Sequence, residues 1–267
     1  SPHEKGVFWT GSDDGLVHIS RDGGENWRDI TPQGLSEWSL VSIIEASPHD
    51  PATAYIAATR YKLDDTSPIL YKTNDYGQSW IDISAGIPHH DYTRVIREDP
   101  IRRGILYVGT ETGVYVSFDD GDNWRSLQGN LPSVPVYDLQ IKGTDLIAAT
   151  HGRSFWILDD LTQLHQMADG VEEKEIHLLR PRTTYRLAPP FHGTKPAYGK
   201  NYQLSLGADV AYIQSKGPDG SIMRRFLDAG QNPPTGVIVI FHLNNKPQNG
   251  LTLSFLDDVG AEIKTFR

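Results

Sequence analysis

Between residues 1 and 164 the chain alternates short apolar runs, rich in β-branched and aromatic residues, with stretches of Gly, Pro and Asp. Three such runs close on a threonine: "SPHEKGVFWT" on Thr10, "SLVSIIEASPHDPATAYIAAT" on Thr59 and "TRVIREDPIRRGILYVGT" on Thr110. Runs of about four to eight residues bounded by turn formers predict strands rather than helices. In the second unit the pattern predicts four: Leu40–Glu45, Ala54–Thr59, Ile69–Thr73 and Ser79–Ile83.

After each threonine comes the same polar skeleton, Ser/Thr–x–Asp–x–Gly–x–x–Trp. It is spelled "SRDGGENW" at 20–27, "TNDYGQSW" at 73–80 and "SFDDGDNW" at 117–124. The repeated positions are Ser20, Asp22, Gly24 and Trp27, then Thr73, Asp75, Gly77 and Trp80, then Ser117, Asp119, Gly121 and Trp124. Each set predicts the turn between the third and fourth strands of its unit. The Asp carboxylate can accept backbone N–H groups of its own turn. The Gly supplies a conformation that a Cβ resists, and the Trp has a large ring to bury against the neighbouring sheet. "DDGDN" at 119–123 is acidic, but only one Asp recurs in all three sets, and a calcium loop needs several oxygen ligands in fixed order. No metal site is therefore read here.

A fourth, weaker unit follows in "VYDLQIKGTDLIAATHGRSFWILDDLTQL" (136–164). With Thr150 aligned on Thr110, Ile157, Asp159, Leu161 and Leu164 fall on the skeleton positions, so the Asp stays while the Gly and Trp are lost. Four-stranded units repeating every ~40–50 residues are the pattern of β-propeller blades. The expectation is about 3.5 blades. "SPHE" at 1–4 matches "SPHD" at 47–50, which directly follows a first strand. The chain is accordingly expected to be part of a larger propeller, whose other blades come from upstream sequence or another chain.

The skeleton resembles the Asp-box, or bacterial neuraminidase repeat, of sialidases, tandem-propeller xyloglucanases, sortilin-type receptors and photosystem assembly factors. "ATHGRSFWILDDL" (148–161) resembles the last blade of a large group of bacterial secreted proteins labelled sortilin-like or glycosyl-hydrolase-like. "IHLLRPRTTYRL" (176–187) and "NPPTGVIVIFHL" (232–243) resemble the text that follows it there, and "LTLSFLDDVGAEIKTFR" (251–267) resembles a strand–turn–strand of an immunoglobulin-like sandwich. The resemblance implies an all-β fold of partial propeller plus truncated β-sandwich. It implies an extracellular or periplasmic location and boxes that lie away from the ligand face. Divided on this basis, residues 1–160 are propeller, 161–200 linker and covering loop, and 201–267 immunoglobulin-like sandwich.

Composition narrows the partners. The net charge is −9 with no basic block, which argues against nucleic acid or an anionic membrane surface. No apolar run approaches the ~20 residues of a membrane span. Cysteine is absent, so disulfides and thiolate metal sites are excluded. No cofactor motif is read.

In a propeller the loops joining strands two and three share one face with the blade-to-blade connections. From the aligned threonine to the skeleton's first position the distances are 10, 14, 7 and 7 residues. A fixed frame with variable loops is where recognition is expected. The candidates on that face are Trp38, Arg60, Glu111, His151 and Arg153, with His89, His90, Asp91, Tyr92 and Tyr137 in the connections. Arg153 can take a carboxylate or sulfate in a bidentate pair, or lock the closing blade by pairing with a carboxylate such as Asp159 or with a backbone carbonyl. Asp13–Asp14 and Asp64–Asp65 offer paired carboxylates for glycoside hydrolysis, but sit in turn-like segments where Asp serves local hydrogen bonds. "HHDY" (89–92) lacks a third metal ligand. Trp9 and Trp156 fall inside strands and read as core; Trp38 precedes a strand and reads as exposed.

The Arg-Ile-Pro signature of sialidases is absent, and only part of one propeller is present, so no complete active site and no catalytic residue is read. The leading expectation is a non-catalytic binding or scaffold segment that meets a glycan or protein partner. The alternatives are a fragment of a glycoside hydrolase and a protein-assembly factor. In the second half, Leu161–Met167 is expected to form a helical turn, and Ile176–Leu179 a strand closing or covering the last blade. Strands are expected to resume at Tyr202–Leu204, Val210–Gln214, Val237–Leu243 and Leu251–Leu256.

Overall fold

The computed structural model describes residues 1–185, 198–203, 210–217, 220–227, 236–247 and 250–266. Four antiparallel sheets follow one another in chain order. The first contains β1 (Phe8–Gly11), β2 (Val17–Ser20) and β3 (Arg28–Asp29); the second β4 (Leu40–Ala46), β5 (Ala54–Arg60), β6 (Asp65–Thr73) and β7 (Ile81–Asp82). The third contains β8 (Thr93–Glu98), β9 (Leu106–Thr110), β10 (Val114–Ser117) and β11 (Arg125–Ser126); the fourth β12 (Val136–Lys142), β13 (Asp145–Thr150) and β14 (Phe155–Leu158). Every strand pairs with its neighbour in sequence, and first strands meet, β4 against β8 and β8 against β12. This is an all-β fold of three and a half propeller blades.

Apolar side chains fill the space between successive blades. Val17, Ile19 and Ile30 of the first pack with Ile56, Ala58 and Tyr71 of the second. Tyr55, Leu70 and Ile83 of the second pack with Ile96, Leu106 and Trp124 of the third. Val95, Tyr107 and Val116 of the third pack with Val136, Leu139 and Leu146 of the fourth. β5 and β9 are buried along nearly their whole length, on both faces, which is why their sequences read as continuous apolar runs instead of alternations.

The repeated skeleton forms one turn three times. Ser20 Oγ, Thr73 Oγ1 and Ser117 Oγ donate to Asp22, Asp75 and Asp119 at 2.9, 2.8 and 2.8 Å, and each accepts the N–H of Gly24, Gly77 or Gly121 at 2.9 Å. Each Asp Oδ1 also accepts a backbone N–H four residues on, from Asn26, Ser79 or Asn123, at 2.9 Å. The side chains of those three residues donate to the same carboxylates at 2.7, 2.6 and 2.8 Å. The sequence skeleton left that position open, although Asn, Ser and Asn share a donor. The glycines adopt φ of +97°, +76° and +97°, a region that residues with a Cβ seldom occupy.

Fourth strands are shorter than expected: β7 is Ile81–Asp82 where Ser79–Ile83 was predicted. Ser79 belongs to the turn through Asp75, and Ile83 N bonds Leu70 O beyond the strand's end. β6 is correspondingly longer, starting at Asp65. Among the described residues the fourth blade has no fourth strand. Instead α1 (Thr162–Met167) follows, with Leu161 buried and Leu164 packed on the blade's core. His165 Nε2 lies 2.7 Å from the buried Asp99 Oδ2, and Arg125 pairs with Glu172 at 2.6 Å, so residues 161–173 are fastened to the third blade.

Further on, β15 (Ile176–Leu178), β16 (Gly199–Gln203), β17 (Val210–Lys216), β18 (Ile222–Phe226), β19 (Phe241–Leu243), β20 (Leu253–Leu256) and β21 (Glu262–Phe266) form small antiparallel sheets, β15–β19, β16–β17–β18 and β20–β21. β15 therefore pairs with β19 and adds no strand to the fourth blade. Val237–Ile240 lies outside β19, and β18 was not foreseen because Arg224 and Arg225 interrupt its apolar pattern. The far end of the expected strand at 202–204 and the core of the covering loop, 186–197, lie outside the described residues. The chain divides into two compact units, residues 1–179 with 241–267, and residues 180–240. No helix among the described residues is long and apolar enough to cross a membrane.

Candidate ligand-binding site

Two backbone irregularities build the site. In the third blade Thr93 pairs with Thr110 and Val95 with Gly109, leaving Arg94 as an extra residue; in the fourth, Val136 pairs with Thr150 and Asp138 with Ala149, leaving Tyr137 as one. A β-bulge of this kind bends the strand and re-aims the extra side chain. Arg94 and Tyr137 are turned towards each other, with the guanidinium carbon 4.1 Å from the Tyr137 ring centroid. The same guanidinium lies 4.9 Å from the ring of Tyr92 and 5.4 Å from that of Tyr61, and these two rings stack at 5.1 Å. His151 adds a fourth ring, 5.3 Å from Tyr137.

Arg94 is fixed by hydrogen bonds as well as by rings. Its Nε and Nη2 donate to Glu111 Oε2 at 2.9 and 2.6 Å, and Nη2 also donates to Tyr92 Oη at 2.9 Å. Burial opposes its charge, but the Glu111 bonds outweigh burial and raise its pKa above the ordinary value. Burial and the bond to Glu111 push the Tyr92 hydroxyl up to about 12, so it stays a neutral donor. The loops beneath are held by the buried Asp91, which accepts Thr112 N at 3.0 Å, Thr112 Oγ1 at 2.7 Å and Tyr115 Oη at 3.0 Å. Burial and the Asp91 charge push Tyr115 up to about 12.

The result is a platform of rings above a closed ion pair. Tyr137 is 50% exposed while the Arg94 side chain is only 10% exposed. Arg94 is thus neutralised by Glu111, with Nε and Nη2 both committed. What faces outward is the Tyr137 ring with the exposed His151 ring tilted 39° beside it, while Tyr92 is buried beneath; rings with polar edges suit stacking and hydrogen bonding.

The five sequence candidates are distributed unevenly. Glu111 and His151 join the platform. Arg60 stands against Asp65, Nη1 to Oδ2 at 3.5 Å. Trp38, with φ +62° and 67% of its surface exposed, makes no ring contact with the platform among the described residues. Arg153 has no carboxylate within ion-pair distance among the described residues, so the pairing with Asp159 is absent; its carbonyl accepts from Trp156 Nε1 at 3.0 Å. Asp14 accepts from Ser12 Oγ and Asp65 from Ser67 N at 3.1 Å, so both serve their own turns. His89 Nδ1 meets Ser67 Oγ at 3.1 Å. Arg94 and Tyr61 were missed: one lies inside a strand and the other beside a named Arg, and neither has a local signature.

No family model matches the chain, and no curated protein matches it. Among solved structures it is similar to YCF48 bound to a D1 peptide, at 20% identity and TM-score 0.44, covering 57% of this chain and 48% of that one. It is also similar to a GH74 enzyme of Niastella koreensis, at 15% identity and TM-score 0.45, covering 58% of this chain and 27% of that one. The GH74 xyloglucanase of Xanthomonas campestris is similar at 14% identity and TM-score 0.44, covering 88% of this chain and 38% of that one. The chain spans about half the length of the first and about a quarter of the second.

Proposed function

We propose that this chain is a non-catalytic ligand-binding or scaffold segment of a larger secreted bacterial protein, extracellular or periplasmic, that meets a glycan or a protein partner with the loop face of its blades. The observation that carries this is the half-exposed Tyr137 ring seated on the closed Arg94–Glu111 pair. Rigid aromatic surface beside a fixed guanidinium lends contact area at little entropic cost, which is what recognition needs. Glu111 and His151 border the ligand; Arg60, Trp38 and Arg153 extend its footprint on the same face.

The repeated turns are Asp-boxes on this reading, and the strands beyond residue 201 belong to an immunoglobulin-like sandwich, with 161–200 as connection and cover. The remaining blades, from upstream sequence or another chain, cover the open side of the first blade. Support comes from Trp27, which is 45% exposed and bonds its own turn at Gly24 O (3.1 Å), where its two counterparts bond a preceding blade.

Glycan-array binding and partner capture, both with purified wild-type chain, test the proposal. It expects a saturable ligand that is bound and left intact. Release of reducing sugar by this chain alone would make it an enzyme and overturn the reading.

A further inference from the structure

The fourth strands of the first three blades share one short pattern, Trp–x–x–Ile/Leu, at 27–30, 80–83 and 124–127. Its aliphatic member directly follows β3, β7 or β11 and donates its N–H to the third strand beside it. Ile30 donates to Val17 O at 2.9 Å, Ile83 to Leu70 O at 3.1 Å and Leu127 to Val114 O at 2.8 Å. The carbonyl of that residue serves the next blade: Ile30 O accepts Trp80 Nε1 at 2.6 Å, and Ile83 O accepts Trp124 Nε1 at 2.7 Å. Leu127 O is the third of the series and accepts no hydrogen bond among the described residues. The chain beyond β14 turns into α1 and brings no tryptophan to it. Trp156, the one indole of the fourth blade, donates instead to Arg153 O at 3.0 Å.

The same interruption leaves β14 paired on one side only, with β13, among the described residues. All four of its residues are apolar, and Phe155, Ile157 and Leu158 are 74%, 58% and 42% exposed. Beside it a groove runs past Leu127, Leu131, Leu146, Ala148, Trp156 and Leu158. All of these but Leu158 belong to the core shared by the third and fourth blades, so the groove continues an interface already built. A bare apolar edge is a template for one more strand.

The complete blades supply the register. β11 sets Ser126 opposite Tyr115 and Arg125 opposite Val116, and β7 sets Asp82 opposite Tyr71 and Ile81 opposite Lys72. With Thr150 aligned on Thr110, Phe155, Trp156 and Ile157 take the places of Val114, Tyr115 and Val116. We propose that β14 and its groove dock an extended segment of a partner polypeptide carrying Trp–x–x–Ile/Leu, antiparallel to β14. The segment's aliphatic N–H donates to Phe155 O, and its two middle residues lie opposite Ile157 and Trp156. Its indole fills the groove and donates to Leu127 O. A second copy of this chain cannot supply the segment without unfolding a blade, because all three of its own already sit in sheets. The assignment stands on blade geometry and holds whether or not the Tyr137 platform binds a ligand.

The probe is a fluorescein-labelled peptide with the sequence of residues 121–129, GDNWRSLQG, added to the whole chain and followed by anisotropy. Two further peptides carry Phe or Ala in place of the Trp. The Trp peptide is expected to bind with a dissociation constant on the order of 100 μM, and the Ala peptide about tenfold more weakly. The Gln128 amide shares its peptide group with Leu127 O. In the ¹⁵N-labelled chain its signal should shift with the Trp peptide and much less with the Phe peptide, which lacks the indole N–H. Leu158→Lys places a charge where the indole enters. It should weaken the Trp peptide about tenfold while the melting temperature stays near wild type, since Leu158 is already 42% exposed. The proposal is overturned by no saturable binding up to about 1 mM peptide, or by equal affinity for the Trp and Ala peptides. Shifts that spare Gln128 and Ile157 overturn it too. So does self-association of the chain that Leu158→Lys abolishes, which would assign the edge to a second copy.

Discussion

Trp124 Nε1 donates to the carbonyl of Ile83 at 2.7 Å, although 41 residues separate them. Trp80 makes the same bond to Ile30 O at 2.6 Å. In both cases the acceptor is the residue just after the preceding blade's fourth strand, and its side chain packs on the glycine of the same turn. One local motif thus does a long-range job: it closes its own hairpin with Ser/Thr and Asp, and fastens that hairpin to the blade before it with Trp and Gly.

The three tryptophans are predicted to differ in worth despite identical motifs. Trp124, 8% exposed, should cost about 3–5 kcal/mol on replacement by Ala, through lost burial and an orphaned Ile83 carbonyl. Trp27, 45% exposed and bonded only to its own turn, should cost about 1 kcal/mol or less. Chemical denaturation of the two variants checks this.

The turn glycines should rank in the same way. A Cβ on Gly77 would stand 2.6 Å from Ile30 Cδ1, and one on Gly121 would stand 2.9 Å from Ile83 Cδ1; on Gly24 the nearest atom is Trp27 at 3.9 Å. Gly24→Ala therefore carries only the strain of positive φ, about 1 kcal/mol. Gly77→Ala and Gly121→Ala add a collision with the neighbouring blade, so their melting temperatures should fall further than that of Gly24→Ala.

Acid should open the turns late. The Asn26 backbone N–H, the Asn26 side chain and Ser20 hold Asp22 at about 2. Burial raises Asp75 and Asp119, but hydrogen bonds from Ser79 and Asn123 outweigh it and leave both lowered. A depressed folded-state pKa means that the stabilisation is complete above the unfolded value of about 3.9 and is lost as pH falls towards the folded one. Stability contributed by the turns should thus hold down to about pH 4 and decline between there and about pH 2. Asp22→Asn, measured by thermal unfolding across pH, should flatten part of that decline.

How far the sequence reveals this molecule depends on whether a feature is local. Ser20, Asp22 and Gly24 satisfy one another within four residues, so spacing alone exposes them, and the blades follow from their repetition. Trp27 and Trp124 are identical in sequence and opposite in environment, because burial depends on whether a blade precedes them. Arg94 has a meaning only through Glu111, 17 residues on, and through a bulge that no residue pattern announces. The fourth blade's helix was half legible: Leu161 and Leu164 sit one turn apart, but that a helix replaces a strand there is set by the core it covers. Glu111 and His151 were found because each directly follows its unit's aligned threonine and so opens a loop on that face.

Glu111→Gln is predicted to loosen the platform more than the fold. It leaves the Arg94 charge, 10% exposed, without its counter-ion, and Glu111 itself is 33% exposed, so solvent repays part of the loss. The expected cost is about 1 kcal/mol in global stability. Binding to the loop face should fall more steeply, since Tyr137 rests on the guanidinium that Glu111 holds.

The most direct measurement is the affinity of Tyr137→Ala for whatever ligand the wild-type chain selects, beside Glu25→Gln on the box side of the first blade. A binding platform on the loop face predicts at least a tenfold loss for Tyr137→Ala, about the 1.4 kcal/mol of a modest contact residue, and wild-type affinity for Glu25→Gln. Full affinity in Tyr137→Ala, or a loss confined to Glu25→Gln, would contradict it.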